Sequence, residues 1–83
     1  MYKLQFDKNA LEELNSLEKS IKERIWKKLQ QCKEDPFRFL KSLEEIDGFK
    51  LRVGDYRIIV DVDKTNNKLV VLKVGHRKNI YER

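Results

Sequence analysis

The stretch from Phe49 to Val62 constrains the fold more than any other. Phe49, Leu51 and Val53 alternate with Lys50 and Arg52, and Tyr56, Ile58, Val60 and Val62 alternate with Arg57, Ile59 and Asp61. A period of two marks strands with one buried face. Between the two runs stands Gly54-Asp55, and Gly at the first place of a two-residue loop suits a type II′ hairpin turn. Such a loop also predicts the register. Val53 opposes Tyr56, Arg52 opposes Arg57, Leu51 opposes Ile58 and Lys50 opposes Ile59. Phe49/Val60, Leu51/Ile58 and Val53/Tyr56 then share the face that must be covered, while Lys50, Arg52 and Arg57 share the other.

The remaining elements follow from periodicity and punctuation. Tyr2, Leu4 and Phe6 alternate with Lys3 and Gln5, the pattern of a half-buried strand. Asp7 is placed to cap a short helix with apolar positions Ala10, Leu11, Leu14 and Leu17. Ser20 with Glu23 reads as a capping box that starts a second helix, along which Ile21, Ile25, Leu29 and Cys32 form one apolar stripe. Asp35-Pro36 ends it, because proline disfavours helical geometry in the residue before it. Residues 36–48 read as an irregular connection whose Phe37, Phe39, Leu40, Leu43 and Ile46 plug one end of the core. Asp63 to Asn67 is a polar loop, and Lys68 to Gly75 is the last strand. The order β-α-α-β-β-β predicts an α+β fold, a helical hairpin on one face of a small, mainly antiparallel sheet. With 83 residues and 40% apolar content, the chain has material for one core and is expected to be a single domain over 1–83.

Composition narrows the function classes. No apolar run approaches the ~20 residues of a membrane span, and no charged-then-apolar leader opens the chain, so membrane and secreted roles are disfavoured and a cytoplasmic one expected. One cysteine and one histidine make neither an internal disulfide nor a zinc-ligand set. Charge is distributed unevenly. Residues 1–47 hold ten Lys/Arg and ten Asp/Glu, whereas residues 48–83 hold nine and four, which accounts for the whole net +5. A polyanion partner for the C-terminal half is the functional reading, with nucleic acid the usual one.

The hairpin register sharpens that reading. If the second loop spans 63–67, Val62 faces Lys68 and Arg57 faces Lys73, and the same parity carries Gly75 and Arg77 to the cationic face. Arg52, Arg57 and Lys73 would then form a row across three strands, with Lys50 and Arg77 nearby. Opposed like charges destabilise a sheet, where good cross-strand pairs would give roughly 0.2–1 kcal/mol each. Same-face residues along a strand sit about 6.6–6.8 Å apart, a spacing suited to successive backbone phosphates. The plainer reading is long side chains splayed into water, partly neutralised by Asp55 and Asp61.

The segment FKLRVGDYRIIVDV followed by KLVVLKVGHRKNIYER resembles the RelE branch of the RelE/ParE toxin superfamily. The order of elements agrees over essentially the whole chain, and the specific part is roughly residues 48–81. The resemblance implies a toxin that cuts messenger RNA in the ribosomal A site, held inactive by a cognate antitoxin in a hetero-oligomer. It implies attack of a ribose 2′-hydroxyl on the adjacent phosphodiester, without metal or other cofactor. Such chemistry needs a proton acceptor, cations for the charge on the phosphorane, and a donor for the leaving oxygen. By resemblance Lys50 takes the base or transition-state role and Arg57 stabilises the phosphate. Arg77 acts as leaving-group acid or phosphate ligand, and Tyr81 stacks on the substrate base. Arg52 and Lys78 join as phosphate-binding candidates, and Lys73 contributes to the field. Some members carry two lysines at alternate positions; here Gly48 stands where the first would fall.

Several residues are weighed against plainer roles. His76 belongs by parity on the side away from the cations and reads as supporting the site rather than doing its chemistry, although some related toxins use a histidine. Trp26 and Tyr56 read as core or interface, and Cys32 as a small buried hydrophobe. Glu12, Glu13, Glu44, Glu45 and Asp61 read as solvated, with Glu44 or Glu45 a remote candidate base. Two other functions compete: a ParE-like gyrase inhibitor, and a non-catalytic RNA-binding module that binds with salt sensitivity but does not cut.

Overall fold

Asp7 caps the first helix as its position predicts, its carboxylate accepting from the Asn9 backbone N–H at 3.2 Å. The computed structural model describes residues 1–43 and 48–78. Within them the order is β1 (Lys3–Phe6), α1 (Lys8–Asn15), α2 (Lys19–Glu34), α3 (Pro36–Phe39), β2 (Lys41–Ser42), β3 (Phe49–Val53), β4 (Tyr56–Asp63) and β5 (Lys68–His76). The sheet runs β1-β5-β4-β3-β2, with β1 parallel to β5 and every other pairing antiparallel. The α+β class and the mainly antiparallel sheet are as expected.

The core forms between the α2 stripe and the covered face of the sheet. Ile25, Leu29 and Cys32 meet Leu51, Ile58, Val60, Leu69, Val71 and Val74, each at most 2% exposed. Burial holds the Cys32 thiol in its neutral form and pushes its pKa up to about 11, against a smaller opposing pull from Lys28. Leu11 and Trp26 behave differently from the rest of their helices. They remain about half exposed, and Trp26 stacks on Phe6 with ring centroids 6.1 Å apart.

Two local expectations are corrected. The second helix begins at Lys19 with Glu18 at the cap, and no side chain caps it, so Ser20 and Glu23 form no capping box. Helical geometry is reached two residues early, with the Glu18 carbonyl accepting the first bond of the helix from Lys22 N–H at 2.9 Å. Residues 36–43 are also more regular than expected. Pro36, pre-set for a first helical turn, opens α3, and Lys41–Ser42 then pair with β3 as a fifth strand. Leu40 and Leu43 are buried as predicted, whereas Phe37 is 46% exposed and packs edge-on against Phe49. Ile46, Glu44 and Glu45 lie outside the described residues.

The β3–β4 register matches the sequence reading at all five pairs. Gly54 adopts φ +58° and Asp55 does not share the positive φ, as a type II′ turn requires. The β4–β5 register does not match. Asp63, not Val62, faces Lys68, because the loop is one residue shorter: Asp63 folds it by accepting from both the backbone and the side chain of Asn66, and Asn67 takes φ +54°. Those Asn66 bonds hold the Asp63 carboxyl below the usual carboxylate range. A β-bulge between Ile59 and Val60 then adds a second offset, placing Lys73 opposite Ile59 and Gly75 opposite Arg57.

Candidate active site

A two-residue strand completes the cationic face. The register places Lys41 beside Lys50, and Arg52 beside Arg57, so these four side chains leave β2, β3 and β4 on the side away from α1 and α2. With Phe39 they line a cleft of about 170 Å³ that has no carboxylate among its described lining residues. Lys50 and Arg57 are half-buried and Lys41 and Arg52 exposed, which grades the cleft from a semi-enclosed floor to an open rim. Phe39 supplies an apolar wall, with Lys28 Nζ 4.9 Å from its ring centroid.

Lys41 was absent from the sequence-derived set. Its signal is weak because a strand of two residues shows no period, and only pairing with β3 assigns it a face. Arg77 is not among the described residues that line this cleft; it stands two residues past Gly75, which opposes Arg57. Its backbone N–H donates to Asp55 O at 2.8 Å, continuing the pairing one step beyond β5 beside the β3–β4 turn, and its side chain is exposed. Tyr81 lies outside the described residues.

Lys73 does not join the row. The shorter loop and the bulge move it two places along β4, and it lines a separate hollow with Glu13, Tyr56 and His76. His76 takes the covered side, its ring edge-on to Tyr56 at 5.3 Å between centroids. Its Nδ1 accepts from the Lys78 backbone N–H at 3.2 Å. That bond closes the turn carrying Arg77, so the histidine braces the turn from behind. Lys78 is exposed on the turn itself.

Chemically, the cleft can bind and charge-neutralise a phosphodiester. Guanidinium groups offer forked donors to phosphate oxygens, and a lysine offers a point charge with exchangeable protons. Among the described residues no group of His, Cys, Asp and Glu is arranged to hold a metal ion, and no helix is long and apolar enough to cross a membrane. A larger cleft, about 790 Å³, lies elsewhere, between α1 and α2. Its Leu11, Leu14 and Trp26 offer apolar surface rather than phosphate chemistry.

Comparison with known proteins places this geometry in context. Residues 4–81 match the family described as the ParE toxin of the type II toxin-antitoxin system, parDE. The chain is 31% identical over 80 residues to the mRNA interferase toxin RelE of Escherichia coli K12, covering 93% of this chain and 84% of that protein. Among solved structures it resembles the RelBE2 toxin-antitoxin complex of Mycobacterium tuberculosis, with TM-score 0.83, 28% identity, and coverage of 92% of this chain and 98% of the other. The intact E. coli RelBE complex gives TM-score 0.81 at 29% identity, covering 92% and 96%.

Proposed function

Since the chain belongs to the RelE/ParE toxin family, we propose that it is a ribosome-dependent endoribonuclease that cuts messenger RNA in the A site. The observation that carries this reading is the convergence of Lys41, Lys50, Arg52 and Arg57 on one cleft with no acid among its described lining residues. A sheet selected for stability alone gains nothing from opposing Arg52 to Arg57; a site for a pentavalent, doubly charged phosphorane does.

In this reading the scissile phosphate sits over β3 and β4. Arg57 and Arg52 hold its non-bridging oxygens, and Lys41 adds positive potential from the rim. Lys50 takes the proton from the 2′-hydroxyl or stabilises the charge that builds as it attacks. The bond from phosphorus to the 5′-oxygen of the next nucleotide breaks, leaving a 2′,3′-cyclic phosphate, and Arg77 supplies the proton or the charge that the departing oxygen needs. Tyr81 stacks on the base beside the cut. His76 acts through the turn it braces.

The partner is a cognate antitoxin acting in the cytoplasm, forming a hetero-oligomer as the RelB proteins do with the toxins in the similar structures. Half-exposed Leu11 and Trp26 on the helical side give it apolar surface to cover. A ParE-like gyrase inhibitor is the weaker reading, since Arg57, Arg77 and Tyr81 are retained here.

Purified protein incubated with programmed ribosomes, followed by mapping of message ends, tests the proposal. Cuts within the A-site codon are expected, and Arg77→Ala should abolish them with the circular dichroism spectrum unchanged. Intact A-site codons at high toxin excess would refute the nuclease reading, and salt-sensitive binding without cutting would favour the RNA-binding module.

A further inference from the structure

The cationic surface does not stop at the rim of the cleft. Arg24, Lys27, Lys28 and Gln31 follow the spacing i, i+3, i+4, i+7 along α2, which puts them on one helix face. That spacing normally carries the apolar stripe, yet here three of four positions are cations. Arg24 and Lys28 stand four apart and Arg24 and Lys27 three apart, arrangements in which like charges cost a helix stability. These side chains line a second cleft, about 420 Å³ in volume, together with Arg52, Val53 and Gly54.

Arg52 belongs to both clefts. It stands on β3 beyond the two residues that β2 covers, so the surface turns around an open stretch of strand edge from the sheet face onto the helix. Two contacts hold the junction in shape. Lys28 Nζ lies over the ring of Phe39, the wall of the first cleft. A methyl group built on Gly54 would come within 3.3 Å of an Arg24 guanidinium nitrogen, so glycine lets that side chain lie along the hairpin turn. No carboxylate occurs among the described lining residues of either cleft.

We propose that the α2 face is the continuation of the RNA path: a track for the backbone phosphates of the same strand on the 3′ side of the cut, entered past Arg52. The inference rests on the reading of the first cleft as the cutting site. An acidic peptide would match the charge but not the continuity with that site through a shared arginine. The upstream strand is engaged by codon pairing, which leaves the downstream strand as the part able to follow the surface.

The test crosses two changes. Wild type and the triple variant Arg24→Gln, Lys27→Gln, Lys28→Gln are given ribosomes programmed with either of two messages. One ends at the A-site codon and the other continues for twelve nucleotides. Glutamine keeps helix propensity at these positions, and thermal unfolding checks the fold. Wild type should show a lower KM on the extended message with kcat unchanged, and the variant should lose that difference. The slope of log kcat/KM against log salt on the extended message should become shallower by about 2, as about 0.7 per lost single-strand phosphate contact predicts.

Equal losses on both messages would overturn the inference in favour of ribosomal RNA as occupant. An unchanged variant would overturn it while leaving the cutting site intact. Weakened capture of an acidic antitoxin peptide, with cleavage of both messages unaltered, would overturn it in favour of a protein partner. Failure of wild type to cut either message would remove the nuclease reading and the track with it.

Discussion

Replacing Arg52 with glutamate separates what the fold requires from what RNA requires. Arg52 and Arg57 oppose each other across β3 and β4. In a hairpin with a two-residue loop, the pair flanking the loop exchanges both backbone hydrogen bonds. The next pair outward is therefore the non-hydrogen-bonded kind, with Cα atoms only about 4.5 Å apart. A good cross-strand ion pair there gives roughly 0.2–1 kcal/mol, and opposed like charges act in the other direction. Reversing one charge should thus favour the folded state by about 0.5–2 kcal/mol, less whatever glutamate loses to arginine in strand preference, on a scale spanning about 1 kcal/mol.

The size of that gain is readable in a melting curve. At roughly 2.1 cal/mol/K per residue, the 83 residues give an unfolding entropy of about 170 cal/mol/K. Each kcal/mol then moves Tm by about 6 °C. Arg52→Glu should raise Tm by about 3–6 °C at low salt, with the gain shrinking as salt screens the pair. The same change removes a phosphate ligand and sets a carboxylate against RNA. Cleavage of programmed ribosomes, as kcat/KM, should fall at least about tenfold, the equivalent of ~1.4 kcal/mol. A lower Tm would show that the two arginines are not held in repulsion, and undiminished cleavage would show that Arg52 does not face the message. Either result refutes the reasoning.

Other tests address single features. Lys41→Ala should weaken kcat/KM by about tenfold with little change in Tm, because an exposed lysine on a two-residue strand contributes field rather than packing. His76→Asn keeps an acceptor two residues before the Lys78 N–H, in the manner of an Asx turn, and should retain cleavage; His76→Phe keeps the ring against Tyr56, loses the acceptor and should cut more slowly. Equal activity in these two variants would remove His76 from the support of Arg77. The Cys32 thiol should resist Ellman's reagent at pH 8 until the protein is unfolded. Because its folded pKa, about 11, lies above the ordinary 9.0, the unfolded chain loses that proton first as pH rises. Stability should be unaffected by this group below pH 9 and should decline between pH 9 and 11, and Cys32→Ser should remove that component of the pH dependence.

Local pattern was enough to determine the β3–β4 hairpin, its turn, its register, and the sidedness of Lys50, Arg52 and Arg57. Alternation and a two-residue loop leave a single pairing, so each face follows by counting. The α2 stripe and its end at Asp35-Pro36 were legible for the same reason, since each depends on residues within a few positions. What only the tertiary structure decided is non-local. Lys41 acquires a face through pairing of a strand too short to carry a period. Lys73 leaves the row because loop length and a bulge shift β5 by two residues, and a bulge arises from how two strands twist together rather than from either alone. Arg24, Lys27 and Lys28 look like an ordinary solvated helix face until α2 is laid beside the open edge of β3. Sequence fixes which side of its own element a residue occupies; packing fixes which elements then share a surface.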